Sequence, residues 1–440
     1  MLMMAGLMFG VAAGVFGREP ATPPPAAEPS PAEWAETREK TFGIVWDTVN
    51  EAYFDPTFGG VDWAAVREKY RTRLAEAGDK PALRKLLTAM LGELHRTHFS
   101  ILPREMAVFT PGERTRIGTT GVKVVAVGDD VAVSEVRASS AGQRADLRPG
   151  DVILDIDGWK LEPISAYLKS AGIPPARSGL YLTQLATGRL QGAVGSTVKL
   201  DVRGVDGAER KAEMVVEAQE GDWSEPMGDY PSVPVECAYS MDADGLVSLR
   251  FNVFARQVMK GVRAALRFVP ADGGLVIDLR GNPGGISVMA SGISGWLSDR
   301  TYLMATMHLR QGHIGYTVNP QDNAFLGPVA VLIDCGSAST SEIMAAGLQE
   351  AGRARIFGEP SPGAALPSTF KSLPTGDLFQ YAVGDFQTPH GLLIEGRGVQ
   401  PDEVVRRTCA DLAAGEDPAL AAARRWIARE RHKPAPVEKP

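Results

Sequence analysis

Cysteine is scarce in this chain of 440 residues, and its positions do not suggest a metal or redox centre. The three cysteines are Cys237, Cys335 and Cys409, and no pair has the short spacing of a zinc site or of a CxxC motif. One disulfide with one free thiol, or three small apolar residues, are both compatible with this usage. We expect no metal and no cofactor.

Runs of basic residues are also absent. The formal net charge is -7 and 22% of the residues are charged, which argues against a nucleic-acid-binding protein. The hydrophobic fraction of 44% is typical of a globular chain. At about 150 residues per domain, the length predicts two or three domains.

The N-terminal residues lack charge. Residues 1–17 form an apolar run that is shorter than the roughly 20 residues needed to span a bilayer. The run resembles the apolar part of a secretory signal, although it has no basic leader. Residues 18–34 are a Pro/Ala-rich linker that cannot pack. We expect a periplasmic or secreted protein, with a retained membrane anchor or a buried helix as the alternatives for residues 1–17.

Residues 35–110 are predicted to form an N-terminal helical domain. Phe42, Val45 and Val49 recur at helical spacing. A second apolar stripe runs from Leu83 to Leu94. Continuing that face by four residues reaches His98, which is therefore predicted to lie at a helix end and to face the interior.

Residues 116–218 have a different character, with short β-rich runs separated by turns. The stretch AGQRADLRPGDVILDIDG at 141–158 resembles a PDZ domain in its short helix, Pro-Gly turn, strand and Asp-Gly turn; an unrelated β-barrel is the alternative. Such a domain captures an extended peptide by strand addition. The expected pairing edge contains Gly121, Val122, Lys123 and Val124.

Residues 219–430 alternate strands and helices, which predicts an α/β core. GLVIDLRG and GPVAVLID are continuous apolar runs, as expected for strands buried on both faces. Residues 431–440 are predicted to be a disordered tail.

Two loops of this core are candidates for chemistry. In the first, a strand ending at Asp334 leads through small residues to Ser339 and directly into a helix, whose free N–H groups can stabilise negative charge. Ser339 and Glu342 also fit a capping box, which needs no catalysis. In the second, two glycines, Gly284 and Gly285, follow a strand and allow close backbone approach to a ligand; a plain turn is the alternative.

Together these segments resemble the tail-specific (C-terminal processing) serine protease family. The motifs are DLRGNPGG at 278–285 and GSASTSE at 336–342, in the family's order and strand context. FDPTFGGVDWAAVREKY at 54–70, followed by ELHRTH at 93–98, is similar to the branch that includes the tricorn core protease. The resemblance implies an α/β catalytic core of the ClpP/crotonase type, with an N-terminal helical domain and an inserted PDZ-like domain.

The resemblance also implies catalytic residues. The family's nucleophile matches Ser339. The lysine of its better-known Ser–Lys branch falls at Ala364, so that base is missing. The tricorn-like branch uses a histidine, a supporting serine and a glutamate, which match His98, Thr97 and Glu395.

This assignment is chemically consistent. A serine hydroxyl needs a neighbouring base to become a good nucleophile, and a histidine with an ordinary pKa near 6.5 suits that task. Glu395 would stabilise the imidazolium, directly or through Thr97. The N–H groups of Gly284 or Gly285 and of Thr340 would hold the oxyanion.

The resulting prediction is a serine endopeptidase that acts on unfolded or extended protein substrates near their C-termini. Three alternatives remain at this stage. One is a peptide- or ligand-binding protein on the same fold. Another is a Ser–Lys protease that uses Lys371, and the last is a PDZ scaffold with an inert α/β domain.

Overall fold

The computed structural model describes residues 30–109, 111–227 and 229–432. The predicted signal-like segment 1–17, most of the predicted linker 18–34 and nearly all of the predicted tail 431–440 lie outside the described residues. No helix among the described residues is long and apolar enough to cross a membrane.

The elements alternate along most of the chain. In chain order the helices of the described residues are α1 (Pro31–Ala52), α2 (Trp63–Arg71), α3 (Lys80–Gly92), α4 (Ala141–Arg144), α5 (Leu161–Ser170), α6 (Pro175–Arg189), α7 (Met259–Phe268), α8 (Val288–Ser294), α9 (Thr340–Glu350), α10 (Cys409–Ala414) and α11 (Pro418–Arg431). The strands are β1 (Ser100–Leu102), β2 (Ile117–Thr119), β3 (Val122–Val127), β4 (Asp130–Val136), β5 (Val152–Ile156), β6 (Trp159–Lys160), β7 (Gln191–Ala193), β8 (Thr197–Arg203), β9 (Glu209–Val215), β10 (Glu217–Ala218), β11 (Asp222–Trp223), β12 (Pro234–Val235), β13 (Cys237–Met241), β14 (Leu246–Phe251), β15 (Gly274–Asp278), β16 (Tyr302–Leu309), β17 (His313–Val318), β18 (Val329–Ile333), β19 (Arg355–Gly358), β20 (Ser368–Ser372), β21 (Leu378–Ala382), β22 (Gly384–Gln387) and β23 (Glu403–Val404).

Helix α1 begins inside the segment predicted to be a linker, so that prediction is wrong from Pro31 onward. The carboxylate of Glu33 accepts the N–H of Ser30 at 2.8 Å, and the Ser30 hydroxyl accepts the N–H of Glu33 at 3.3 Å. Pro31 has a backbone angle already suited to the first helical position. This capping box starts the helix despite the Pro/Ala composition.

The N-terminal helices share their core with a distant part of the chain. The apolar stripes of α1 and α3 meet through residues such as Val45 and Leu87. Phe379 and Leu373, from the three-stranded sheet β1–β21–β20 and its connecting turn, pack into the same core. The segment between α3 and β1 is therefore held against the C-terminal part of the chain.

Residues 117–218 form a separate β-rich unit. Its main sheet has the order β3–β4–β5–β8–β9, with β6 paired to β5, and β3 lies at an edge. Helices α5 and α6 pack on this sheet through residues such as Leu168 and Leu182. Ala338 and Ala364 of the α/β core join the same cluster, so this unit packs directly behind the Ser339 loop.

The α/β core is a sheet of order β13–β14–β15–β18–β19–β23. Strand β13 is antiparallel to β14, and the others are parallel. Helices α7 and α9 cover one face of the sheet and α11 covers the other. The carboxyl ends of β15 and β18 meet at one edge, where ligand sites of parallel sheets usually lie. Both predicted loops begin at that edge.

Candidate active site

Ser339 lies in a tight connection between β18 and α9. Its backbone φ of 55° is uncommon for a residue other than glycine, and such strain is concentrated at functional sites. The hydroxyl of Ser337 in the same loop donates to Leu279 O at 2.8 Å and accepts the N–H of Asp334 at 2.9 Å. These buried bonds hold the connection in the strained conformation.

Glu342 supports this connection from the first turn of α9. Its buried carboxylate accepts the N–H groups of Gly363 and Ala364, both at 2.8 Å, and that of Ser339 at 3.1 Å. The Ser361 hydroxyl also donates to it, at 2.5 Å. Burial raises the pKa of Glu342 to about 7, against the lowering effect of these hydrogen bonds.

Ser339 and Glu342 form the capping box that the sequence suggested. The Glu342 carboxylate accepts the N–H of Ser339 at 3.1 Å, and the Ser339 side chain faces the N–H of Glu342. The cap places this hydroxyl at the positive end of α9.

The glycine loop packs against Ser339. A Cβ on Gly284 would lie 2.7 Å from Ser339 Cβ and 2.9 Å from Thr340 N, so only glycine fits there. The N–H of Gly284 donates to the Asn282 side chain at 2.9 Å. Across the described residues, no partner is found for the N–H groups of Gly285 and Thr340. A hydrogen bond of 2.9 Å from Thr340 Oγ1 to Gly285 O joins these two residues.

His98 is not at a helix end, which corrects the sequence prediction. Helix α3 ends at Gly92, and the chain continues through an irregular loop in which His95 and His98 have φ values of 51° and 61°. Glycine disfavours helix continuation, and the positive φ angles are incompatible with it. His98 is nevertheless buried, with 3% of its surface exposed.

A hydrogen-bonded chain joins His98 to Glu395 through Thr97. The Thr97 hydroxyl donates to Glu395 Oε2 at 3.0 Å and lies 2.8 Å from His98 Nδ1. Because a hydroxyl has one proton, its oxygen then accepts the Nδ1–H of His98. This tautomer leaves Nε2 of His98 as a proton acceptor. Burial, and secondarily the charge of Arg177, lower the pKa of His98 to about 3, so the ring is neutral at pH 7.

Glu395 connects the hydrogen-bonded series His98–Thr97–Glu395 to the Ser339 side of the site. Its Oε2 accepts the N–H of Ala365 at 2.9 Å, and the preceding residue, Ala364, accepts the N–H of Ser339 at 2.8 Å. Burial raises the pKa of Glu395, although Arg177 opposes this shift. The described residues contain no direct hydrogen bond between Ser339 and His98. Such catalytic contacts often form fully only with substrate bound.

Arg177 is a residue of this site that the sequence did not reveal. It lies on α6 of the inserted β-rich unit, and its guanidinium donates to Pro362 O at 3.2 Å and to Gly363 O. It also lies 3.6 Å from Glu395 Oε1. No motif marks Arg177, since its partners are mostly backbone carbonyls that become neighbours only in the folded chain.

The residues of the rival interpretations have other partners. Lys371 lies on β20 and donates to the Thr48 hydroxyl of α1 at 3.0 Å. Ala364, at the position of the family lysine, is fully buried. The three cysteines are free thiols, so the disulfide alternative is wrong. The described ranges hold no cluster of three or more His, Cys, Asp or Glu suited to a metal ion.

The predicted peptide-binding edge is only partly open. Val122 and Val124 point into the core of the β-rich unit, and Lys123 pairs with Glu236 at 2.6 Å. Further along β3, the N–H of Ala126 donates to the Thr183 hydroxyl of α6 at 2.9 Å. The N–H of Gly121 donates to Thr119 Oγ1 at 3.0 Å and its carbonyl accepts the N–H of Arg137 at 2.8 Å, so Gly121 is also occupied.

Chemically, the site combines a strained serine, two unpaired N–H groups beside it and a neutral histidine backed by a carboxylate. Comparisons with known proteins match most of the chain to peptidases. The model of peptidase family S41 matches residues 246–405, which contain both core loops, and the model of the tricorn protease C1 domain matches residues 34–92.

Relatives cover most of the chain. A carboxyl-terminal-processing protease of Synechocystis sp. is 27% identical over 398 residues, which is 89% of this chain and 86% of that protein. A chloroplastic C-terminal processing peptidase of Tetradesmus obliquus is 26% identical over 385 residues, 84% of this chain and 78% of its own. The solved structure of a photosystem II D1 C-terminal processing protease has the same fold, with a TM-score of 0.57 at 22% identity over 87% of this chain and 99% of that one.

These findings define the class of the protein as a serine-type peptidase. Residues 246–405, which form most of the α/β core, match peptidase family S41.

Proposed function

We propose that this peptidase cleaves extended or unfolded protein chains near their C-termini, with Ser339 as nucleophile and His98 as general base. The observation that carries the proposal is the strained Ser339 at the start of α9, adjacent to two unpaired N–H groups. The substrate class is supported by the names of the relatives, which are C-terminal processing enzymes.

In this mechanism the Ser339 oxygen bonds to the carbonyl carbon of the substrate while its proton passes to His98 Nε2. The N–H groups of Gly285 and Thr340 stabilise the oxyanion. Gly284 is not the donor, because its N–H is already bonded to Asn282. The C–N bond then breaks, and His98 returns the proton to the leaving amine. Water hydrolyses the acyl-enzyme by the same route.

Glu395 acts through Thr97 in this scheme. When His98 becomes protonated, its Nδ1–H bond to the Thr97 oxygen strengthens, and the Thr97 proton is directed to the carboxylate. The imidazolium is thereby stabilised without moving a proton to Glu395. Thr97 thus takes the place of a direct His–Glu contact.

The test is labelling with a fluorophosphonate probe followed by peptide mapping. The proposal predicts one adduct, on Ser339, and loss of protein cleavage by several orders of magnitude in Ser339→Ala. An adduct on Ser337 or Ser341, or retained cleavage by Ser339→Ala, would contradict it. A chain that neither reacts nor cleaves would support the binding-protein alternative.

We further propose that the β-rich unit is a PDZ-like domain that binds the C-terminal residues of substrates along Gly121–Val124. The support is the edge position of β3. Binding should be weak, because main-chain pairing supplies most of the affinity. Equal binding of free-acid and amidated peptides would contradict recognition of the terminus.

We also propose that the protein acts outside the cytoplasm, after export directed by residues 1–17. The apolar, uncharged composition of this segment supports the proposal, with membrane anchoring as its alternative outcome. Cell fractionation with N-terminal sequencing tests it. A cytosolic protein that retains Met1 would contradict it.

A further inference from the structure

Arg280 lies between β15 and the glycine loop and is nearly completely enclosed, with 7% of its side chain exposed. Its Nε and Nη2 donate to the two oxygens of Asp278, each at 2.8 Å. Its Nη1 and Nη2 donate to the two oxygens of Asp417 at 2.9 and 2.7 Å. The guanidinium therefore makes bidentate hydrogen bonds to two carboxylates, an arrangement called the Arg280 fork below.

Asp417 comes from a distant element. It caps the N-terminus of α11, where its Oδ1 accepts the N–H of Leu420 at 3.0 Å. Helix α11 covers the face of the sheet opposite to α9 and lies outside the residues 246–405 matched by the family model. A single carboxylate thus joins the C-terminal helix to the residue that begins the glycine loop.

The glycine loop depends on its attachment at Arg280. The next residue, Gly281, donates its N–H to Asp334 at 2.9 Å, and Asn282 donates to Phe251 O at 2.9 Å. The Arg280 fork and the Gly281 bond together hold the start of the loop, and Thr340 Oγ1 holds its far end through Gly285 O. A buried cation that loses one of its partners is strongly destabilised, and the backbone that follows Arg280 leads directly to the N–H of Gly285.

We propose that Asp417 is a positioning residue for the oxyanion loop, acting through Arg280, so that the start of α11 forms part of the catalytic apparatus. This inference rests on the proposed role of Gly285 in the reaction. The electrostatics agree, because hydrogen bonds and the charge of Arg280 outweigh burial and lower the pKa of Asp417 to about 2. Asp417 is therefore ionised wherever the enzyme works.

The informative variant is Asp417→Asn in the full chain. Asparagine caps helices as well as aspartate does, so the substitution removes the charge and leaves the cap. The matched control is Asp411→Asn, since Asp411 also binds the start of a helix, through Thr408 N and Oγ1 at 2.8 and 2.7 Å. Asp411 is partly exposed, and its side-chain hydrogen bonds are confined to its own turn.

We expect Asp417→Asn to lower kcat by about tenfold or more, the size of effect that small misplacements of a catalytic group produce, with little change in KM. Asp411→Asn should match the wild type. Asp417→Glu keeps the charge and should recover part of the lost kcat. It should also fold if Asp417→Asn does not. Unchanged kcat in Asp417→Asn, or a loss of thermal stability with normal kcat, would overturn the inference.

Amide hydrogen exchange gives a second readout that does not depend on turnover. Asp417→Asn should accelerate exchange in the peptide containing residues 279–287, and Asp411→Asn should not. Unaltered exchange there would contradict the positioning role. If the proposed function itself fails, Ser339→Ala retains activity whatever the exchange result, so the two failures are distinguishable.

Discussion

Replacing Thr97 by valine tests the hydrogen-bonded chain between His98 and Glu395 in isolation. Valine has nearly the shape of threonine but no hydroxyl. The substitution removes the 2.8 Å contact with His98 Nδ1 and the 3.0 Å bond to Glu395 Oε2. The N–H of Ala365 remains as the donor to that oxygen.

The size of the effect follows from these contacts. A buried group that loses its only partner costs about 1–3 kcal/mol, and a hydrogen bond to a charged group is worth about 1.5–3 kcal/mol. The part that affects kcat is the stabilisation of the imidazolium, which exists only after proton transfer. At about 1.4 kcal/mol per decade of rate, we expect kcat to fall about 10- to 100-fold.

The assay is steady-state cleavage of a fluorogenic peptide, with Thr97→Ser as the matched control. Serine keeps the hydroxyl and should restore most of the activity, with KM similar in all three proteins. A Thr97→Val enzyme with wild-type kcat would refute the relay. Equal losses in Thr97→Val and Thr97→Ser would also refute it, because they would indicate a packing effect.

The remaining predictions concern protonation, the glycine loop and Arg177. Because the pKa of His98 is lowered to about 3, the neutral ring stabilises the fold above pH 6.5, and this contribution is lost as pH falls from 6.5 toward 3. Urea unfolding of wild type between pH 7 and 5 should show about 2 kcal/mol more loss than His98→Gln; equal losses would contradict the shift. Gly284→Ala should abolish cleavage, because its Cβ would overlap the nucleophile, whereas Gly292→Ala, at an exposed position of α8 with nothing within 4 Å, should remain active; similar activities would contradict the packing argument. Arg177→Ala should lower kcat about tenfold by freeing Glu395 and the 362–363 carbonyls, while Arg189→Ala at the other end of α6 should not; matching kcat values would contradict that role.

The sequence predicted the α/β core well because its signals are local. Strands β15 and β18 are continuous apolar runs, and every residue of both is buried. The loop before α9 was recognisable from its small residues, and Ser339 lies there as expected. The strain at Ser339 had no sequence signal, since nothing in the residue type requires a φ of 55°.

The sequence was less informative where long-range contacts decide the structure. Helical spacing predicted that His98 is buried, but α3 ends at Gly92, and His98 is buried because the following loop packs against residues near Ala365 and Glu395. Arg177 and the second role of Glu342 were missed. Both bind backbone groups of residues 361–364, which are distant in sequence and carry no motif.

The most direct test of the central claim compares His98→Ala with Lys371→Ala on one peptide substrate. If His98 is the general base, His98→Ala should lose at least about 10³-fold in kcat/KM. Lys371→Ala should stay near wild type, because its ammonium donates to Thr48 on α1. Near wild-type kcat/KM in His98→Ala, together with inactivity of Lys371→Ala, would contradict the account and assign the base to the lysine.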